Sequence, residues 1–497
     1  MRKIHLILYC SISILTLSCF GQNQNKKEEF DKLLDYCYKK GIFNGNVLVV
    51  GEDLSIMYEK SFGFNGKNIN TKLHSNSQFL LASLSKQFTA MGIMILKEKG
   101  KLAYDDLVNS YLSDFPYKNI TIRNLLNQTS GLPEYQRFFN KNKERIIKRF
   151  KDNGKIITNK DVYNLIKGTK PQLEFSPGHN FNYSNTNYVL LAILIEHITN
   201  LNYEDFMNEQ IFLPLKMYNS YVYNAKNSNA SKNRVYGYKL DIDGKTIIPN
   251  DVLPFFNTVG DGGIYSSTKD LYKWFLELSN NTLISKEAFE EAYQNPLLKN
   301  GKKGPYGFGW FVREATPPIN TKILTHSGEF VGFSNSMFRS VENGYMLIML
   351  SNNSSKYRRD MNRALASIAH NLPYEIPKIK SDELMGKLIY QVGIKKAVKE
   401  YKNARNNDNN GYDYDETHLN RLGYGFIKKN MIKEALELFI LNVEHYPNSS
   451  NVYDSLGEAY LLVGEKDKAL FNYRKSLELN PNNKNAARVI EKISGSN

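Results

Sequence analysis

Cysteine is nearly absent from this chain, which has 3 among 497 residues: Cys10, Cys19 and Cys37. The first two fall in an amino-terminal leader, so Cys37 stands alone in the body. That leaves no partner for an internal disulfide and excludes a cysteine-based metal site. Cys37 lies at helical spacing from Phe30, Leu33 and Leu34 and reads as a buried structural thiol. The 8 histidines are scattered, with no HExxH and no pairing with a carboxylate at ligand spacing, so no metal is expected. No glycine-rich phosphate loop follows a strand, and no cofactor is implied. Beyond the leader no second apolar run reaches the roughly 18 residues of a membrane span. Acidic residues are outnumbered, 50 against 65 Lys and Arg, for a formal net charge of +15. These cations are dispersed among asparagines without a dense stripe, which argues against a nucleic-acid partner.

The leader is an export signal. Arg2 and Lys3 form a positive start, and Ile4 to Leu17 is an apolar run of signal-peptide length. Cys19-Phe20-Gly21 offers a small-x-small cleavage site that closes a signal at residues 1–21. Alternatively, Leu15 to Cys19 resembles a loose lipoprotein signal, in which Cys19 carries a lipid anchor. Both readings send the chain to the periplasm or cell envelope, or out of the cell.

The length predicts two or three units. After an amphipathic helix over Lys26 to Lys40, Asn46 to Val50 and Leu54 to Phe62 read as a strand pair. Phe79 to Lys99 reads as one long apolar helix ended by Gly100. Helices and long loops follow, then strands at Gly307 to Val312, Lys322 to Thr325, Phe333 to Arg339 and Tyr345 to Leu350. A helix from about Tyr357 to Asn371 closes the segment. Strands at both ends with helices between them predict an α+β domain over residues 28–372, whose terminal strands share one antiparallel sheet.

Pro373 and Pro377 bracket a short extended linker, and the character then changes. Leu419, Leu422, Gly423, Phe426, Ala435, Phe439 and Pro447 recur 34 residues later as Tyr453, Leu456, Gly457, Tyr460, Ala469, Tyr473 and Pro481. That period and pattern resemble the tetratricopeptide repeat, with units at about 416–449 and 450–483. Leu384 to Ala404 resembles a degenerate first unit. Residues 378–497 are thus expected to form an all-α repeat domain, a kind that offers a groove to a protein or peptide partner.

The chemistry concentrates in three short blocks: Ser83-Leu84-Ser85-Lys86, Tyr183-Ser184-Asn185 and His326-Ser327-Gly328. A serine hydroxyl is a weak nucleophile until a base approaches it. Lys86, three residues on, shares a helical face with Ser83 among Phe79, Leu80, Leu84 and Phe88. A helix start adds a positive field that favours developing oxyanion charge. Alone, the pair reads as an ordinary helix face; SxxK recurs at Ser266 to Lys269, and Tyr-x-Asn recurs at Tyr117, Tyr293, Tyr401 and Tyr446.

The surroundings carry the weight. Phe79 to Lys86, Leu125 to Pro133, Phe175 to Gly178, Tyr183 to Tyr188, Gly260 to Ser267, Tyr306 to Trp310 and His326 to Gly328 with Gly332-Phe333 together resemble the serine β-lactamase and penicillin-binding-protein superfamily. The nearest likeness is the class C-like branch of carboxypeptidases, D-aminopeptidases and esterases, over roughly Phe43 to Asn371. The resemblance implies a β-lactamase/DD-peptidase-like fold and acyl transfer through serine. It implies Ser83 as nucleophile, Lys86 and Tyr183 in proton transfer, and Asn185 holding the amine and a substrate amide. His326 would stand at the edge of the site, against a substrate carboxylate or the tyrosine. The backbone N–H groups of Ser83 and Glu329 would form the oxyanion hole, with Ser327 and Gly328 along the substrate edge.

Two departures bear on the substrate. The third block is His-Ser-Gly where the family often has Lys-Thr-Gly, and Glu329 stands where a small residue is commoner, a carboxylate placed to repel anionic substrates. The expected substrates are D-Ala-D-Ala-type peptides, small esters or β-lactams. The competing reading is a retired ligand sensor or scaffold that binds peptides through its repeats. It fits poorly with an intact Ser83, Lys86, Tyr183 and Asn185.

Overall fold

The structure is a computed structural model describing residues 25–137, 156–225, 231–252, 256–407 and 411–494. The leader, with its cleavage and lipid-anchor readings, lies outside the described residues. The chain divides into two compact units, cut at Lys239/Leu240, Ile248/Pro249 and Ile376/Pro377.

The first unit is built on a six-stranded sheet in the order Phe311–Arg313, Ile323–Phe330, Phe333–Ser340, Met346–Ser351, Gly45–Val50, Ile56–Phe62. Its amino- and carboxy-terminal segments are hydrogen-bonded side by side. Gly45–Val50 pairs antiparallel with Met346–Ser351, from Gly45 opposite Ser351 to Val50 opposite Met346. Gly45–Val50 is buried along its whole length, as a central strand covered on both faces must be. The Thr268–Asn280 and Arg358–Ala369 helices both pack on the sheet. The expected α+β domain with joined terminal strands is what forms.

Three expected elements differ. The strand expected over Gly307 to Val312 begins only at Phe311 and runs to Arg313. Ile323–Phe330 extends as one strand through the His-Ser-Gly block, where a short strand ending at Thr325 was expected. Phe79 to Lys99 is not one helix. Phe79–Leu80 is a strand paired with Ile264–Ser266, Ala82–Ser85 is a 3₁₀ turn, and the α-helix runs Lys86–Glu98. The break sits at Ala82, whose φ of 50° is left-handed backbone that a helix cannot contain. From Lys86 to Leu96 the helix is buried all round. It packs against Asn185–Thr199, a second helix with a buried apolar run.

The second unit joins Leu240–Ile248 to the carboxy-terminal helices. Ser381–Val392 and Ile394–Asn406 come first, then the pairs Glu416–Lys428 with Ile432–His445 and Ser450–Leu462 with Lys466–Leu479, then Lys484–Ser494. The repeated glycines are where one helix of a pair meets an aromatic of the other. A Cβ at Gly423 would lie 2.5 Å from the Phe439 ring, and one at Gly457 would lie 3.1 Å from that of Tyr473. The small/large pattern thus records helix packing. The Leu240–Ile248 segment is held by Lys429, whose Nζ is 2.6 Å from Asp241 Oδ2, and by Ile242 set against Gly386 and Gly425.

Candidate active site

The 3₁₀ turn that carries Ser83 is fastened on two sides. From the Gly260–Ile264 segment, Ile264 accepts from Leu81 N–H at 2.8 Å and its own N–H donates to Ser85 Oγ at 3.2 Å. From the sheet, Asn335 Nδ2 donates to Leu80 O at 2.7 Å. Gly328 lets the Ile323–Phe330 strand come this close, since a Cβ there would lie 2.0 Å from Leu81 O. The glycine of the His-Ser-Gly block is required by that approach. The strand also brings Ser327 and Glu329 to this edge, and Glu329 lines the cavity beside Ser83.

Lys86 is fully buried. Its Nζ donates to Ser83 Oγ at 3.0 Å, Asn185 Oδ1 at 2.7 Å and Asp261 O at 2.6 Å. Three acceptors match the three donors of an ammonium group and fix its position. The rings of Tyr183 and Tyr188 lie 5.1 and 5.7 Å from Nζ, within cation–π range. One point therefore gathers Ser83, Lys86, Tyr183 and Asn185.

Asn185 and Tyr183 are positioned by the loop after Leu126. Gln128 Oε1 accepts from Ser184 N–H at 2.9 Å and from Asn187 Nδ2 at 2.5 Å. Glu134 Oε2 accepts from Asn185 N–H at 2.8 Å, a carboxylate at the first turn of the Asn185–Thr199 helix, where the helix dipole favours negative charge. Tyr183 stacks on Phe311, with centroids 6.1 Å apart, and meets Tyr306 edge-on at 5.8 Å.

His326 lies behind these rings. Its Nε2 is 2.9 Å from the Tyr306 hydroxyl and its Nδ1 is 2.7 Å from Ser327 O. A carbonyl only accepts, so Nδ1 carries the proton and Nε2 accepts from Tyr306. Burial first, and then the neighbouring charge of Lys86, push the imidazole down to about 3. His326 is therefore neutral near neutral pH, its ring 6.0 Å from that of Tyr183.

Four side chains of the site carry no signal of their own in the sequence. Glu134 stands one residue past the Leu125 to Pro133 block. Tyr306 and Asp261 lie within family-like blocks but carried no role. Arg358 pairs with Glu329, its Nε and Nη2 each 2.7 Å from Glu329 Oε1, and nothing in the local sequence signals that pairing. Glu329, expected to repel anions, is thus held by a cation. The cavity beside Ser83 encloses about 110 Å³ and is lined by Asn185, Gln136, Tyr223, Asp261, Glu329 and Phe330, among others.

Similarity to known proteins agrees with this geometry. The family model described as Beta-lactamase matches residues 30–370, and that of the tetratricopeptide repeat matches 450–483. Penicillin-binding protein 4* of Bacillus subtilis is 37% identical over 370 residues, covering 72% of this chain and 80% of that protein. The octameric penicillin-binding protein homologue of Pyrococcus abyssi superposes with TM-score 0.58 at 24% identity, over 71% of this chain and 78% of the other. D-amino acid amidase of Ochrobactrum anthropi SV3 does so with TM-score 0.56 at 20% identity, over 70% and 99%. The chain belongs to the β-lactamase family of serine hydrolases and carries a tetratricopeptide repeat beyond that domain.

Proposed function

We propose that this protein is an exported hydrolase that cleaves amides or esters through an acyl-serine intermediate on Ser83. The observation that carries this reading is the 3.0 Å approach of Lys86 Nζ to Ser83 Oγ, with Asn185 on the same amine. Ser83 Oγ bonds to the substrate carbonyl carbon as its proton passes to the Lys86 and Tyr183 pair, to the Tyr183 phenolate oxygen while the Lys86 amine is an ammonium without a free lone pair. The leaving amine or alcohol departs with that proton. Water, deprotonated by the same pair, then attacks the acyl carbon, releases the acid and restores the hydroxyl. The backbone N–H groups of Ser83 and Glu329 hold the developing oxyanion. A neutral His326 bonded to Tyr306 supports a part in ordering the tyrosines over a part as a cation for substrate carboxylates. The charged, then apolar, start of the chain supports export.

A fluorescent serine-reactive probe tests this reading. Labelling of the mature chain at Ser83, abolished in Ser83→Ala, is expected; equal labelling of the variant would refute it. A panel of D-Ala-D-Ala peptides, a chromogenic cephalosporin and p-nitrophenyl esters then separates the peptidase, β-lactamase and esterase forms.

The repeat unit supports a second, compatible role as a peptide-binding module. Ile440, Val443, Leu456, Tyr460 and Phe471 line one groove, and Phe471 is 66% exposed. Loss of a captured partner on Phe471→Asp is the expected result.

A further inference from the structure

The strand that carries the His-Ser-Gly block and Glu329 turns back at Val331-Gly332, with Phe330 paired opposite Phe333. Val331 has φ 47°, at the first central position of a two-residue hairpin, where glycine is favoured. A β-branched residue in left-handed backbone is strained and persists only where its surroundings hold it. The glycine stands one residue later because another segment comes close there. A Cβ on Gly332 would lie 2.3 Å from Tyr238 N and 2.5 Å from Gly237 C. Gly332 N–H donates to Asn250 O at 2.6 Å, and Asn250 N–H donates to Gly237 O at 2.9 Å. Ser354 Oγ donates to Val331 O at 3.0 Å. The turn is therefore gripped by Gly237–Tyr238 and Asn250. Beside that grip, Glu329, Phe330 and Val252 line the cavity at Ser83.

Gly237–Tyr238 and Asn250 are the two feet of one hairpin, in which Tyr238–Leu240 pairs with Ile247–Pro249. Its tip, Leu240–Ile248, belongs to the repeat unit. The anchorage there is close. Gly386 and Gly425 are bare where Ile242 meets the repeat helices, since Cβ atoms on them would lie 2.4 Å from Ile242 O and 3.0 Å from Ile242 Cδ1. Lys429 Nζ is 2.6 Å from Asp241 Oδ2, and its charge also acts on Asp243. The hairpin is thus held at its tip by the repeat helices and at its feet by the turn after Glu329. Paired strands move together, so a shift of the tip reaches the feet.

We propose, on the acyl-serine reading of the site, that this hairpin is a positioning strap. Its feet set where Val331-Gly332 turns, and so where the Glu329 N–H of the oxyanion hole stands. Its tip makes that placement depend on the repeat unit. Negative charge develops against this N–H during acylation, and a donor moved off its line stabilises that charge less. The rate of hydrolysis therefore answers to the repeat helices at Gly386, Gly425 and Lys429, which act only through the turn.

The test places its changes in the repeat helices of the full chain. Lys429→Glu sets a second carboxylate against Asp241, and Gly386→Ala puts a methyl where the Ile242 backbone stands. Both should lower kcat for p-nitrophenyl acetate by about tenfold or more, a misplacement of about 1 Å being worth up to about 10²-fold, with KM nearly unchanged. Lys429→Arg, which keeps the ion pair, should retain the wild-type rate. Hydrogen exchange at the Gly332 N–H should quicken in both of the first variants, while the melting transition of the hydrolase unit holds. Wild-type kcat in either of them, a fall in kcat without faster exchange at Gly332, or an equal loss in Lys429→Arg overturns the assignment. If wild-type Ser83 takes no serine probe, the acyl-serine reading fails instead, and exchange at Gly332 still decides the strap.

Discussion

The amine of Lys86 lies 2.7 Å from the amide oxygen of Asn185, although 99 residues separate them in the chain. Lys86 is the first residue of one buried helix and Asn185 the first of another, so two helix starts converge on one hydroxyl. Asn185→Ala removes one of three acceptors around Nζ and lets the amine turn away from Ser83. Turnover of p-nitrophenyl acetate should fall by about 10²-fold or more, the usual contribution of a positioned proton-transfer group. Circular dichroism should stay unchanged. A loss smaller than tenfold would show that Ser83 and Asp261 O hold the amine without help.

Gly328 makes a sharper claim about geometry. A Cβ there would sit 2.0 Å from Leu81 O, and the atom in the way is backbone of the turn that carries Ser83. Gly328→Ala must push the strand and the turn apart, which separates Ser83 N–H from Glu329 N–H. We expect a loss in kcat of roughly 10²-fold or more, the cost of disrupting an oxyanion hole, with KM less affected. Single-turnover acylation measured with the serine probe checks it.

Glu329 and Arg358 give the opposite kind of result. The carboxylate is exposed, so the pair contributes only about 0–1 kcal/mol to stability, and Glu329→Gln should leave the melting temperature within a degree or two. Arg358→Ala leaves the carboxylate unpaired at the cavity rim. KM for an anionic ester should then rise while that for a neutral ester holds, and added salt should reduce the difference.

How much of this was legible beforehand follows from where each residue's partners lie. Ser83 and Lys86 are three apart, so their meeting is a local fact. Tyr183, Asn185 and His326 belonged to blocks recognisable as strings. The 34-residue period exposed the repeats because Gly423 with Phe439 and Gly457 with Tyr473 make the same contact twice. Asp261 and Glu134 matter through partners on distant elements, Lys86 with Tyr135 and Asn185, and no local pattern encodes such meetings. The 3₁₀ turn was hidden because Phe79–Leu80 is drawn into pairing with Ile264–Ser266, a tertiary demand that overrides a helical apolar pattern. Leu240–Ile248 grouped with the second unit for a similar reason, since Asp241 and Ile242 find Lys429, Gly386 and Gly425 there.

The repeat packing predicts a stability effect without a catalytic one. A methyl at Gly423 would meet the Phe439 ring at 2.5 Å, closer than a ring in a packed interior can readily yield. Gly423→Ala should destabilise the repeat unit by about 1–3 kcal/mol, the range for overpacking. A lower first transition in calorimetry, with unchanged ester hydrolysis, is the expected signature.

Asp261 should cost the fold stability at neutral pH. Burial raises its carboxyl from 3.8 to about 6 in the folded chain. Between those values the folded state holds a proton that the unfolded chain has released, so stability falls as pH rises through that window and stays lowered above it. Asp261→Asn cannot ionise and avoids the penalty. The variant should therefore be more stable than the wild type at pH 7.5, on the order of 2–3 kcal/mol, since each tenfold change in proton affinity is worth about 1.4 kcal/mol. The gain should dwindle as pH falls toward 4. Urea denaturation across pH 4 to 8 measures it. A variant no more stable than the wild type at pH 7.5 would mean that the carboxylate is compensated in the folded chain. A gain that disappears in acid would mark Asp261 as a group retained at a cost to stability.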